Sequence, residues 1–204
     1  MKYVRLLLPL ILVLGLVSCS LSASTPEIRA VEIPPQFQEV MSNLETAIPV
    51  LLPTEIPESF LSQRSEGGVP IDYYASASEA TNADFYEISI DASPDCGGAG
   101  YCYIGLLEGR RLVEDLPLDN EFDYLSDPTY TPVRQSDEPM TSVELAGGIE
   151  GLFVPWVCGA SCDTAKVVFD LNGVRYKVGL RMATMTQVTE LANNMLQNSQ
   201  VTGS

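Results

Sequence analysis

The sequence predicts an α+β fold, an antiparallel β-meander sheet with a C-terminal helix packed on one face. Three observations predict it. Between Ile71 and Met182 apolar residues recur with a period of two, as in half-buried strands. Asn172-Gly173 separates two such runs and supplies the two positive-φ positions of a type I′ hairpin turn. From Thr186 to Leu196 the period becomes helical, with Val188, Leu191, Ala192 and Met195 on one side. Strand–helix–strand alternation is absent, which disfavours doubly wound and barrel α/β enzymes.

The first element is an address. Lys2 and Arg5 precede a twelve-residue apolar run, Leu6 to Val17. That run is shorter than the roughly 18 residues of a confident membrane span, and Pro9 and Gly15 weaken it further. It ends Leu16-Val17-Ser18-Cys19, which resembles the bacterial lipobox. The resemblance implies a diacylglycerol thioether on Cys19 and cleavage just before it. Each buried acyl CH₂ contributes about 0.8 kcal/mol, so two or three chains hold a domain firmly on a bilayer. The expected partner is therefore a membrane, reached through lipid on Cys19, on the extracytoplasmic side; inner versus outer membrane stays open.

The expected organisation is a leader at 1–18, a lipidated tether with a short helix at 19–48, a single domain at 49–199 and a tail at 200–204. The tether "SLSASTPEIRAVEIPP" lacks a clean period. Phe37, Val40, Met41, Leu44 and Ile48 then stand at helical spacing, so a helix is expected over Gln36 to Ile48, ended by Pro49. "PVLLPTEIPESF" is expected as an extended segment or edge strand, given its three prolines. Strands follow at "IDYYASAS", "FYEISIDA" and "YCYIGLL"; Val113 to Asp127 is expected as an acidic loop. "TSVELA" and "GLFVPW" flank Gly147-Gly148 as a hairpin, and Thr186 can cap the last helix.

The other four cysteines lie in two glycine-rich turns, "CGGAGYC" and "CGASC". An even number in an exported chain argues for disulfides. The pairing Cys96–Cys102 and Cys158–Cys162 is favoured, because each turn can fold back on itself. Bridges between the loops, Cys96 and Cys102 each joined to Cys158 or Cys162, are the alternative. A Cys₄ zinc site fits poorly, since knuckles favour two to four intervening residues and the first pair has five.

Charge and composition narrow the function. There are 27 acidic and 11 basic residues, a net charge of −16. Removing Lys2 and Arg5 with the leader leaves nine basic residues and −18. Nucleic acid is a poor partner for such a chain, whose cations are scattered. Histidine is absent, and with it the commonest base and metal ligand. No cofactor is expected. Asp119, Glu121 and Asp123 have calcium-loop spacing, but the pattern fails at Tyr124 and Tyr130, so a solvated loop is expected. Trp156 is expected to pack on the core or a disulfide, and Tyr73, Tyr74, Tyr101 and Tyr103 could line an aromatic patch.

"PVLLPTEIP", "YEISI", "DCGGAGYC", "GIEGLFVPWVCGASC" and "VVFDLNGVRYKVGL" together resemble a family of uncharacterised envelope proteins of photosynthetic bacteria. The resemblance covers roughly Pro49 to Ser199, and the double cysteine loop is its most specific element. It implies a fold and a location and transfers no catalytic residue. The expectation is a lipid-anchored, non-catalytic binding or scaffolding domain, its partner a protein or a small hydrophobic ligand. The alternatives are a carrier of a lipid or hydrophobic ligand, and a hydrolase using carboxylates or a Ser-Lys pair built on Lys166 or Lys177.

Overall fold

The computed structural model describes residues 33–65, 71–96, 100–114, 116–127 and 129–202. The expected leader, Cys19 and most of the expected tether lie outside them. Among the described residues no helix is long and apolar enough to cross a membrane.

Alternation builds the sheet. Strands β1 (Tyr74–Ala77), β2 (Phe85–Asp91) and β3 (Tyr103–Arg111) form one meander. After the two-residue strand β4 (Arg134–Gln135), β5 (Thr141–Leu145) and β6 (Ile149–Val154) make the expected hairpin, with Gly147 and Gly148 at φ 77° and 73°. Strand β7 (Val157–Cys158) pairs with β4 in a small separate sheet. Strands β8 (Thr164–Leu171) and β9 (Val174–Arg181) close on Asn172 (φ 52°) and Gly173 (φ 77°), the type I′ geometry. The main sheet runs β1-β2-β3-β9-β8-β6-β5, all antiparallel. It is two meanders joined where β9, the last strand, pairs with β3.

The register sets the core. Ile88, Leu107, Val178 and Val167 lie in one cross-strand row, and Tyr86, Gly109, Tyr176 and Phe169 in the next. The ring partners Phe169 and Tyr176 stack at 5.4 Å. Helix α3 (Met185–Thr202) covers this face with Val188, Leu191, Ala192, Met195 and Leu196, all buried. Its cap is Thr184 rather than Thr186. The Gln187 N–H donates to Thr184 Oγ1 at 3.4 Å, and the Thr184 N–H donates to Gln187 Oε1 at 3.0 Å. This reciprocal box needs a Gln or Glu three residues after the Thr, which only Thr184 has.

Three N-terminal pieces cover the rest of that face. Helix α1 (Pro35–Asn43) buries Phe37 and Val40. It stops five residues before Ile48, where Ser42 and Asn43 side chains donate to the Glu39 carbonyl and compete with further helix. Residues 44–57 are extended but no edge strand, because Pro49, Pro53 and Pro57 lack N–H groups for a ladder. One backbone bond, from the Ala47 N–H to the Ala83 carbonyl (2.9 Å), and several side chains fasten this strap instead. The Leu51 N–H donates to Tyr86 Oη (3.2 Å), Tyr176 Oη to the Pro49 carbonyl (3.0 Å), and the Thr54 N–H to Asn194 Oδ1 (2.7 Å). Leu51, Leu52 and Ile56 enter the core from it. Helix α2 (Glu58–Arg64), absent from the sequence expectation, follows Pro57 and buries Phe60.

The opposite face is covered in part by the excursion between β3 and β5. The expected acidic loop contains a 3-10 helix at Asn120–Ser126, and Phe122 from it packs with Leu152, Val154 and Val168. Arg175, on a nominally polar position of β9, is only 5% exposed. It forks onto Asp170 and donates to the Leu116 and Pro117 carbonyls, holding the excursion down.

Candidate functional site at the disulfide end of the sheet

The turn from β2 to β3 and the turn from β7 to β8 fall at the same end of the sheet. Each is closed by its own disulfide. Cys96 and Cys102 are joined with Cα atoms 5.8 Å apart, Cys158 and Cys162 with Cα atoms 3.9 Å apart. The cross-loop alternatives are not formed. Backbone bonds knit each turn, from the Ala92 N–H to the Cys102 carbonyl (2.8 Å) and from the Asp163 N–H to the Val157 carbonyl (2.9 Å). The two loops meet at Gly100. A Cβ placed there would lie 3.7 Å from Ser161 Cβ and 4.0 Å from Arg181 Nη2.

Arg181 ends β9 beside both loops. The next residue, Met182, has φ 54°, a left-handed conformation uncommon for a side chain of its size. Across from them stands Arg64 in the last turn of α2, where a cation suits the helix dipole. Its guanidinium lies over the Phe60 ring, 5.4 Å from the centroid. Burial first, and the neighbouring Arg181 second, lower the Arg64 proton affinity from its usual value. Between the two arginines is a cleft of about 520 Å³, with Phe60, Ile104, Met182 and Tyr101 in its walls. Tyr101 is 86% exposed.

A larger cleft of about 690 Å³ runs along α3 and is lined by Glu55, Glu144 and Glu190 with Asn193 and Asn194. Both asparagines are already engaged, Asn193 Oδ1 accepting from the Ala146 N–H (2.7 Å) and Asn194 holding the strap.

The other candidates are dispersed. Lys166 is paired with Asp163, and Lys177 sits between Glu108 and Glu121. Neither ammonium donates to a serine among the described residues. Glu121, one of the three calcium-spaced carboxylates, therefore has a cation partner within the fold. Trp156 is half-buried against the core and carries Arg134 on its face at 5.5 Å. The four tyrosines do not form one patch. Tyr73 packs on Phe37 at 6.1 Å and Tyr103 is half-buried, its phenol raised above the usual range by burial and then by Asp163. Tyr74 and Tyr101 are exposed. Cys19 lies outside the described residues.

No family model, no curated protein and no solved structure matches the chain.

Sequence reasoning found both disulfide loops but missed Arg64 and Arg181. No sequence signal marks them, because which cation lacks a carboxylate among the described residues is set by the fold.

Proposed function

We propose that this chain is a lipid-anchored protein on the extracytoplasmic side of a bacterial envelope, whose α+β domain binds or scaffolds and does not catalyse. The observation that carries the reading is Cys19 at the end of Leu16-Val17-Ser18, directly after a basic and then an apolar run. Two loops each closed by a disulfide support it, because such bridges persist in oxidising compartments. The resemblance to envelope proteins of photosynthetic bacteria points the same way.

A hydrophobic-ligand carrier would need a chamber under the helix. That space is filled by Tyr86, Phe153, Phe169 and Tyr176 from the sheet and by Leu191 and Leu196 from α3. A ligand therefore belongs in an outer cleft.

Metabolic labelling with palmitate in a bacterial host tests the anchor. The wild-type chain takes label and partitions with membranes, and Cys19→Ala does neither. Label retained on Cys19→Ala refutes the anchor.

A further inference from the structure

Among the described residues eight are cationic. Five are ion-paired: Arg110 and Lys177 with Glu108, Arg111 with Asp84, Lys166 with Asp163, and Arg175 with Asp170. Arg134 lies on Trp156. The remaining two, Arg64 and Arg181, have no carboxylate partner among the described residues, and both line the cleft beside the disulfide loops. With 27 acidic residues in the chain, this is the opposite of what charge abundance favours. Two cations brought together with no counterion among the described residues repel, and each is held there by structure: Arg64 by the end of α2 and the Phe60 ring, Arg181 by the end of β9 and the left-handed turn at Met182. Arg181 Nε is buried and has no acceptor among the described residues. A guanidinium presents its N–H groups as a planar fork matched to carboxylate and phosphate oxygens.

The walls add a second requirement. Ile104 and Met182 are apolar, and the Tyr101 ring stands free at the rim. A bare inorganic ion would leave them unused. The volume suits a small molecule rather than a chain segment. An anionic membrane surface is disfavoured by the charge of the whole molecule.

We propose that this cleft binds a small amphiphilic anion, its carboxylate or phosphate oxygens received by Arg64 and Arg181, its apolar or aromatic body lying on Ile104, Met182 and Tyr101. The proposal rests on the reading of the domain as a binder and names its ligand class. Recognition is electrostatic at one end, so affinity falls with ionic strength; it is apolar at the other, so a bare ion binds less well.

The test titrates the purified full-length chain with phenyl phosphate, benzoate, inorganic phosphate and phenol, followed by calorimetry and thermal shift. Phenyl phosphate or benzoate is expected to bind one to one at millimolar or lower concentration, more tightly than phenol or inorganic phosphate. Whichever of the two binds tighter assigns the oxyanion. Arg64→Gln and Arg181→Gln are each expected to weaken binding about tenfold or more, the loss of a charge-assisted hydrogen-bond pair. Arg134→Gln, the third arginine without an ion pair among the described residues, leaves it unchanged. Absence of saturable binding, or equal binding by both glutamine variants and wild type, overturns the proposal. Inorganic phosphate binding as well as phenyl phosphate overturns its apolar half. Arg64 is at the end of a short surface helix, so Arg64→Gln carries the test if Arg181→Gln does not fold. The palmitate experiment is independent: a failed titration with an intact Cys19 label removes only the ligand class, and a failed label with intact titration removes only the anchor.

Discussion

Gly109 sits in β3 directly under the ring of Tyr86, its cross-strand partner in β2. A Cβ at that position would lie 2.3 Å from Tyr86 Cε1, 2.8 Å from Cζ and 3.0 Å from Cδ1. Favourable carbon–carbon contact begins at about 3.5 Å, so the ring must move by about an ångström. It has nowhere to go. Tyr86 is fully buried, and its hydroxyl accepts the Leu51 N–H in the middle of the strap. Overpacking of a core costs about 1–3 kcal/mol, and a hydrogen bond lost with it about 1 kcal/mol. The alanine also restricts the unfolded chain, which offsets about 0.4–1 kcal/mol. Gly109→Ala is therefore expected to destabilise by about 2 kcal/mol, a drop in Tm of roughly 4–8 °C for a domain of this size. Chemical denaturation of the purified variant measures it. The decisive comparison is the double variant. In a Tyr86→Leu background the clash is gone, and adding Gly109→Ala should cost almost nothing, a coupling of about 1.5 kcal/mol or more. A Gly109→Ala protein as stable as wild type, or an equal loss in both backgrounds, refutes the reasoning.

Two further predictions concern charge. Asp91 is buried, one of its oxygens has no partner among the described residues, and burial raises its carboxyl above the ordinary value. A carboxyl whose folded pKa is raised contributes stability below its unfolded pKa, and that contribution is lost as pH rises through the folded value. Asp91→Asn should thus be more stable than wild type at neutral pH, with the advantage shrinking on acidification and vanishing below about pH 4; a pH-independent difference in denaturation midpoint contradicts this. Arg175→Met leaves Asp170 and two carbonyls without their donor. Because Asp170 is partly exposed, the expected loss is about 2–3 kcal/mol, below the range for a fully buried pair. A glutamyl-specific protease should also cut the 112–127 segment faster than in wild type, and unchanged cleavage would count against Arg175 as its fastening.

What was legible in the sequence was local. Asn172-Gly173, Gly147-Gly148 and each cysteine pair join residues a few positions apart, and their geometry depends on little else. The face of each strand was legible too, since alternation marks Ile88, Leu107 and Val178 as inward. Alternation does not say which strand lies beside which, so the pairing of β9 with β3 was hidden. The burial of Arg175 was hidden for the same reason, because the excursion that covers it comes from elsewhere in the chain. The candidate cleft is the extreme case. Arg64 and Arg181 come from opposite ends of the domain, and each alone reads as an ordinary surface charge.

The strap gives the molecule a mechanical asymmetry. Tension applied from the N-terminal side loads α1, which packs against β1 and buries Phe37 and Val40, and then residues 44–57. That segment is held by the bond from the Ala47 N–H to the Ala83 carbonyl, by separate side-chain hydrogen bonds from Tyr86, Tyr176 and Asn194, spaced along it, and by the burial of Leu51, Leu52 and Ile56. Such attachments fail one after another, as in peeling, whereas the ladders of the seven-stranded sheet share a load across many bonds. A pull from that end would strip the strap at low force and leave the sheet, both disulfide loops and α3 standing, so the strap behaves as a fuse between the chain's leading end and its folded body.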